Sequence, residues 1–324
     1  MRTLLLALIA LMALFLLASC SPVRLAARRA EASITRHGFR SVLLEQGDLR
    51  VRYWIGGRGP AVLLLHGFGG DGLWTWRGQM PALAAQHTVL VPDLLWFGAS
   101  EAAGPPTLER QVDAALAVLD AAGAGSAAVV GISYGGFVTL ALTNRAPERV
   151  SRMVIVDSPG PFFSPDDQRE MLDRLGFPEV EDLFVPQSPE AVRALIGLAW
   201  AKPPPLPGPV VRDLQATVFS QHQEEQRALL ADLLARREDP ASQALPVGKP
   251  ALLLWGALDP VFPLALGQRL ADALGAGLIA IPGAAHAPNL EKVSAFNSAI
   301  VGFLSTSAQE TGGGHLLGSG EHLR

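Results

Sequence analysis

Gly131-Ile132-Ser133-Tyr134-Gly135 follows a run of apolar residues at 127–130 and precedes a helix-like segment at 136–145. A Gly-x-Ser-x-Gly between a strand and a helix has the form of a nucleophile elbow. There a serine sits on a strained turn with its hydroxyl raised above the end of a sheet. Glycines at 131, 135 and 136 suit such a turn, where backbone approaches backbone too closely for a Cβ.

Further short apolar runs lie at 61–65, 88–91, 153–156, 251–255 and 278–281. Helical spacing lies between them, as at 109–122, where apolar residues recur at 112, 115, 116 and 119. Continuous apolar strands separated by helices indicate a mostly parallel sheet covered on both faces. Residues 41–44 and 49–55 around Gln46-Gly47-Asp48 read as a hairpin ahead of it. The rhythm breaks at 160–245, a helical, proline-punctuated stretch too long for an ordinary crossover. It reads as a cap over the mouth of the site. Its aromatics, Phe162, Phe163, Phe184, Trp200 and Phe219, are expected for the most part to pack the cap's own small core.

A serine needs a base, and the base an orienting acid. Asp259 follows the run at 251–255, and His286 follows the run at 278–281. Of the seven histidines, His37 precedes the core, His315 and His322 lie in the tail, and His222 lies in the cap. His87 precedes a strand, so it belongs to the opposite end of the sheet. His66 follows a strand within Leu65-His66-Gly67-Phe68-Gly69-Gly70 and is expected to hold that loop by hydrogen bonds. That leaves His286 as the base. Asp157, after the run at 153–156, is the alternative acid, and Asp93 is expected to serve loop structure. The backbone N–H groups of Phe68 and Tyr134 are the candidate oxyanion donors. No metal-ligand cluster or phosphate loop is legible, so no cofactor is expected.

These motifs resemble the α/β-hydrolase superfamily from residue 41 to residue 304. The resemblance implies chain order serine, acid, histidine, as Ser133, Asp259 and His286 stand. Residues 91–100, 131–138 and 259–264 look like the monoacylglycerol-lipase-like or epoxide-hydrolase-like branch. Epoxide-opening relatives carry aspartate at the elbow, so Ser133 points to carboxylic-ester hydrolysis. The same machinery also serves carbon–carbon hydrolases, perhydrolases and receptor-like members with little turnover. Trp96 stands where many relatives have glycine, which implies an altered pocket wall.

The chain has 324 residues, 49% hydrophobic and 17% charged, with net charge −4. That balance fits a globular protein with a large core, and no basic aromatic-laced stripe suggests nucleic-acid binding. Residues 4–17 form an apolar run behind Arg2, shorter than the roughly 20 residues a spanning helix needs. Leu17-Ala18-Ser19-Cys20 resembles a bacterial lipobox, which implies cleavage before Cys20, the single cysteine, and its acylation. The expected organisation is a signal peptide at 1–19, a solvated tether at 20–39, core at 40–159 and 246–304, cap at 160–245, and a disordered tail at 305–324. An exported, membrane-anchored lipoprotein acting on a small-molecule or lipid-derived ester follows as the expectation.

Overall fold

The computed structural model describes residues 21–238, 244–246 and 248–306. The apolar run at 4–17, Cys20, and the tail histidines His315 and His322 lie outside the described residues. Among the described residues no helix is long and apolar enough to cross a membrane.

The centre is a 9-stranded sheet. Its strands are β1 (Arg40–Gln46), β2 (Leu49–Gly57), β3 (Ala61–Leu65), β4 (Thr88–Pro92), β5 (Glu101–Ala102), β6 (Ala127–Ile132), β7 (Val150–Val156), β8 (Ala251–Gly256) and β9 (Gly277–Ile281). The order is β1-β2-β4-β3-β6-β7-β8-β9, with the short β5 beside β2. β2 runs antiparallel to β1, β4 and β5, and every other pairing is parallel. The apolar runs read as strands all fall in this sheet.

Because strand side chains alternate, each buried strand feeds two cores. Leu63, Leu65, Val129, Ile155 and Leu253 face one, while Val62, Leu64, Val130, Val154 and Leu254 face the other. The helices divide accordingly. Ile34 of α1 (Pro22–Arg36) and buried residues of α2 (Gly72–Trp76), α3 (Met80–Ala84) and the last helix join the second core. Those of α4 (Leu108–Ala121) and α5 (Tyr134–Arg145) join the first.

The described residues of the segment at 160–245 are largely helical, as expected. It contains α6 (Pro165–Leu175), α7 (Val180–Phe184), α8 (Pro189–Leu198), α9 (Gly208–Leu214), a π-helical turn at Gln215–Phe219, and α10 (Gln223–Ala235). Ser188 caps α8 by accepting from the Ala191 N–H, with Pro189 at the first helical position. The chain then returns through β8, α11 (Leu264–Leu274), β9, α12 (Pro288–Glu291) and α13 (Val293–Ser305).

The tether expected at 20–39 is corrected by α1. Ser21 caps this helix, accepting from the Arg24 N–H, and Pro22 opens it. Val23 and Ile34 are buried. Ser21 Oγ and the Val23 N–H both donate to Asp213 Oδ2 in the cap, at 2.6 and 2.9 Å. The inward face is narrow, with Val23 and Ile34 buried and Ala26 and Ala30 half-buried between them, and four arginines lie around it.

Candidate active site

Ser133 stands between β6 and α5 with φ 52° and ψ −121°, a left-handed strained conformation. Its N–H donates to the Val156 carbonyl at 2.8 Å, which ties the turn to the neighbouring strand. A Cβ on Gly131 would lie 2.0 Å from the Gly135 carbonyl oxygen, and one on Gly135 would lie 2.3 Å from that of Leu65. The turn therefore closes only with glycine at both positions.

His286 Nε2 lies 3.1 Å from Ser133 Oγ, and His286 Nδ1 lies 2.9 Å from Asp259 Oδ2. An ionised Asp259 can only accept, so Nδ1–H donates to it and Nε2 is left to accept from the serine hydroxyl. Asp259 Oδ1 accepts the Val261 and Phe262 N–H groups at 2.7 and 3.1 Å. Those bonds fix the carboxylate, and the Phe262 ring packs against the imidazole at 5.5 Å.

Asp157, the alternative acid, does not reach His286. It is fully buried at φ 42° after β7, and its Oδ1 accepts the Gly256 N–H at 2.8 Å. Burial, and then the neighbouring Asp259 charge, push its pKa well up. Its other oxygen, Oδ2, has no hydrogen-bond partner among the described residues.

The loop after β3 comes directly over the serine. A Cβ on Gly67 would lie 2.9 Å from Ser133 Cβ. Leu94 N–H donates to His66 Nε2 at 2.9 Å, so the ring's proton is on Nδ1, which donates to the Gly67 carbonyl at 2.7 Å. Complete burial pushes the His66 pKa down, so the ring stays neutral and holds the loop, as expected from sequence. The Phe68 ring packs edge-on against Phe97 and Tyr134 at 5.1 and 5.0 Å. Tyr134 opens α5, where an N–H has no partner within its own helix. Asp93 accepts from Arg52 Nε and from the Gly72 and Ala99 N–H groups, which is loop structure.

A cavity of about 520 Å³ opens on Ser133 and His286. Its walls are mostly apolar, drawn from the cap, from α1 and from the loops around Ser133 and His286. Phe184, Trp200 and Phe219 line it, and only Phe219 also belongs to the cap's own small core, with Val192 and Val211, so most cap aromatics do not merely pack that core. Phe163 packs on Phe262 at 5.2 Å, and Phe162 on the first core. The cap and the histidine loop are joined by main-chain bonds from His286 to Leu198 and from Ala287 to Ala199, at 3.3 and 3.1 Å. Trp96 does not line the cavity, contrary to the altered wall expected there. It is buried at φ 64°, a conformation glycine adopts freely. Among the described residues no group of three or more His, Cys, Asp or Glu is gathered to hold a metal.

A family model described as the alpha/beta hydrolase fold matches residues 60–293. The chain belongs to the alpha/beta hydrolase fold family. It is 41% identical over 119 residues to the 2-hydroxymuconate semialdehyde hydrolase of Pseudomonas sp. (strain CF600). That match covers 36% of this chain and 42% of the relative, so less than half of the relative's length is spanned. Among solved structures, a membrane phospholipase A described as a bacterial virulence factor superposes with TM-score 0.74 at 24% identity. It covers 94% of this chain and 98% of that one. A hydrolase from Pseudomonas aeruginosa PA01 superposes with TM-score 0.65 at 27% identity, covering 82% and 99%.

Some lining residues had no signal in the sequence. Pro22, Val23 and Ala26 of α1 line the cavity from outside the family's matched span, as do Trp74 and Arg77 from within it. None belongs to a motif. Only the placing of α1 against the cap and α2 beneath the mouth brings them to the serine.

Proposed function

We propose that this protein hydrolyses carboxylic esters with apolar acyl chains through an acyl-enzyme on Ser133. The observation that carries the reading is the chain of contacts from Ser133 Oγ through His286 to Asp259, opening on an apolar cavity. Ser133 Oγ attacks the acyl carbon while His286 Nε2 takes its proton. Asp259 holds the imidazole in the accepting tautomer and favours the imidazolium that forms. The carbonyl oxygen becomes an anion facing the Phe68 and Tyr134 N–H groups. The imidazolium gives its proton to the departing alcohol. Water, deprotonated by His286, then attacks the acyl carbon and releases Ser133.

The cavity favours an acyl chain over a polar substituent, since each buried methylene contributes about 0.8 kcal/mol. The lipobox-like Leu17-Ala18-Ser19-Cys20 supports attachment to a membrane, where lipid-derived esters are at hand. Labelled fatty acid should enter the wild type and not Cys20→Ala, and absence of label in both would remove the membrane part.

The activity is tested with a fluorophosphonate probe at neutral pH and a panel of nitrophenyl and glycerol esters. Ser133 should label and the esters turn over, and Ser133→Ala should do neither. An unlabelled Ser133 would end the hydrolase reading, and one slow turnover after labelling would favour a receptor. The 41% identity to a semialdehyde hydrolase favours a second reading, carbon–carbon hydrolysis by the same serine. Turnover of that semialdehyde without ester turnover would select it.

A further inference from the structure

Of the described residues lining the Ser133 cavity, Arg77 is the one that carries a fixed charge. It follows α2, half-buried, and its Nη1 donates to the Trp74 carbonyl. Its guanidinium lies over the Trp74 ring, 4.8 Å from the centroid. That bond uses one of its five N–H donors. Among the described residues no carboxylate lies within ion-pair distance of it. The acid that acts on it, Asp71, does so from farther off and is shared with Arg52 at 3.4 Å. A cation desolvated without a partner is costly, and an anion brought to it is held more strongly than in water.

A second polar group stands in the same cavity wall. Asn289 is fully buried, and its Nδ2 donates to the Thr75 carbonyl at 2.8 Å. Its main-chain oxygen accepts from Gln79 Nε2 at 2.9 Å, and its side-chain Oδ1 accepts nothing from the protein. The remaining walls are mainly apolar, with the cap residues Leu195, Leu206, Val210, Leu214 and Val218 among them. The cavity is thus two-sided in chemistry, with a long apolar part and a polar wall at Arg77 and Asn289.

We propose that Arg77 binds an anionic group of the substrate, a phosphate or a carboxylate, while an apolar chain lies among the cap residues. The inference rests on the ester reading for what that chain is joined to, and on the cavity alone for the anion. It names the substrate class as amphiphilic esters with an anionic head.

The test measures binding to the Ser133→Ala protein, which turns nothing over, by calorimetry with decyl phosphate, decanoate and decanol. At least one anion should bind about tenfold or more tightly than decanol, as a charge-assisted bond outweighs a neutral one. Arg77→Gln on that background should bring the three ligands to within about twofold of each other. Arg77→Met, which keeps the apolar stem, replaces it if the glutamine variant does not fold. A larger gain with phosphate marks a phospholipid-like head, and a larger gain with decanoate marks a carboxylate head. Equal affinities for all three ligands, or a preference that survives loss of Arg77, would overturn the proposal. Because turnover is not read, a failed ester assay on the wild type leaves this result independent.

Discussion

Gly67 and Ser133 face each other across a gap with no room for a methyl group. A Cβ on Gly67 would lie 2.9 Å from the serine's Cβ and 3.2 Å from the Ile132 carbonyl oxygen. Both neighbours are rigid, one on the strained elbow and one on a central strand. Gly67→Ala must therefore push the loop outward and carry the Phe68 N–H away from the oxyanion position. The expected loss is about 10²–10³ in kcat, that of one oxyanion donor. The rate of fluorophosphonate labelling should fall with it. Unchanged labelling with a folded protein would show that the loop supplies no donor.

Asp157 and Asp259 are two buried carboxyl groups with separate assignments. In Asp259→Asn the Val261 and Phe262 N–H groups still require an oxygen, so the new amide NH₂ faces His286. Nδ1 must then accept, Nε2 carries the proton, and the ring cannot take one from Ser133. The expected loss is about 10⁴ in kcat. Asp157→Asn instead puts a neutral isostere on a group that bonds the Gly256 N–H and does not reach His286, and whose pKa burial pushes up, so kcat should stay within about threefold. A loss in Asp157→Asn as large as that in Asp259→Asn would reverse the assignment.

The parts of this molecule that were legible in sequence are those with a strong local signal. Continuous apolar runs mark strands, and all of them join the sheet, although β9 lies at its edge and is largely exposed. The elbow, the Gly67–Phe68 loop and the two later strand ends follow from that sheet, which brings Ser133, Asp259 and His286 together. What was missed depends on contacts between distant segments. The face of α1 is made of Val23, Ala26, Ala30 and Ile34, and alanine looks alike on a surface and in an interface. Phe184 and Trp200 read as core because an apolar cavity wall and an apolar core have the same composition, and Phe219 serves as both. Trp96 misled because its position demands a backbone angle and was read as demanding a pocket.

Asp71 caps α2, accepting the Trp74 N–H at 2.8 Å. Burial foremost, and then the charge of Asp93, push its pKa up to about 7, against the opposing pull of that N–H and of Arg52. Glu31 adds to the upward push. A carboxyl whose folded pKa is raised stabilises the fold in its protonated form. That contribution is full below its ordinary 3.8 and is lost as the pH rises through about 7. Asn caps as well as Asp and does not titrate. The stability of wild type relative to Asp71→Asn should therefore fall by about 2–3 kcal/mol from pH 5 to pH 8. Urea unfolding at the two pH values measures it, and a pH-independent difference would rule out the raised pKa.

α1 forms part of the cavity although it lies outside the span shared with the family. Ala26 lines the cavity, and Asp213 in α9 holds the start of the helix through Ser21 and Val23. Ala26→Trp should fill space next to a long acyl chain and leave less obstruction for a short one. The ratio of kcat/KM for decanoate over acetate esters should fall about tenfold, the worth of roughly two buried methylenes. Asp213→Ala acts differently, because it removes both bonds and narrows nothing. It should lower stability by about 1–2 kcal/mol and expose residues 22–36 to limited proteolysis. If the chain-length ratio holds in Ala26→Trp while Asp213→Ala frees the helix, α1 is a brace for the cap and has no part in choosing the substrate.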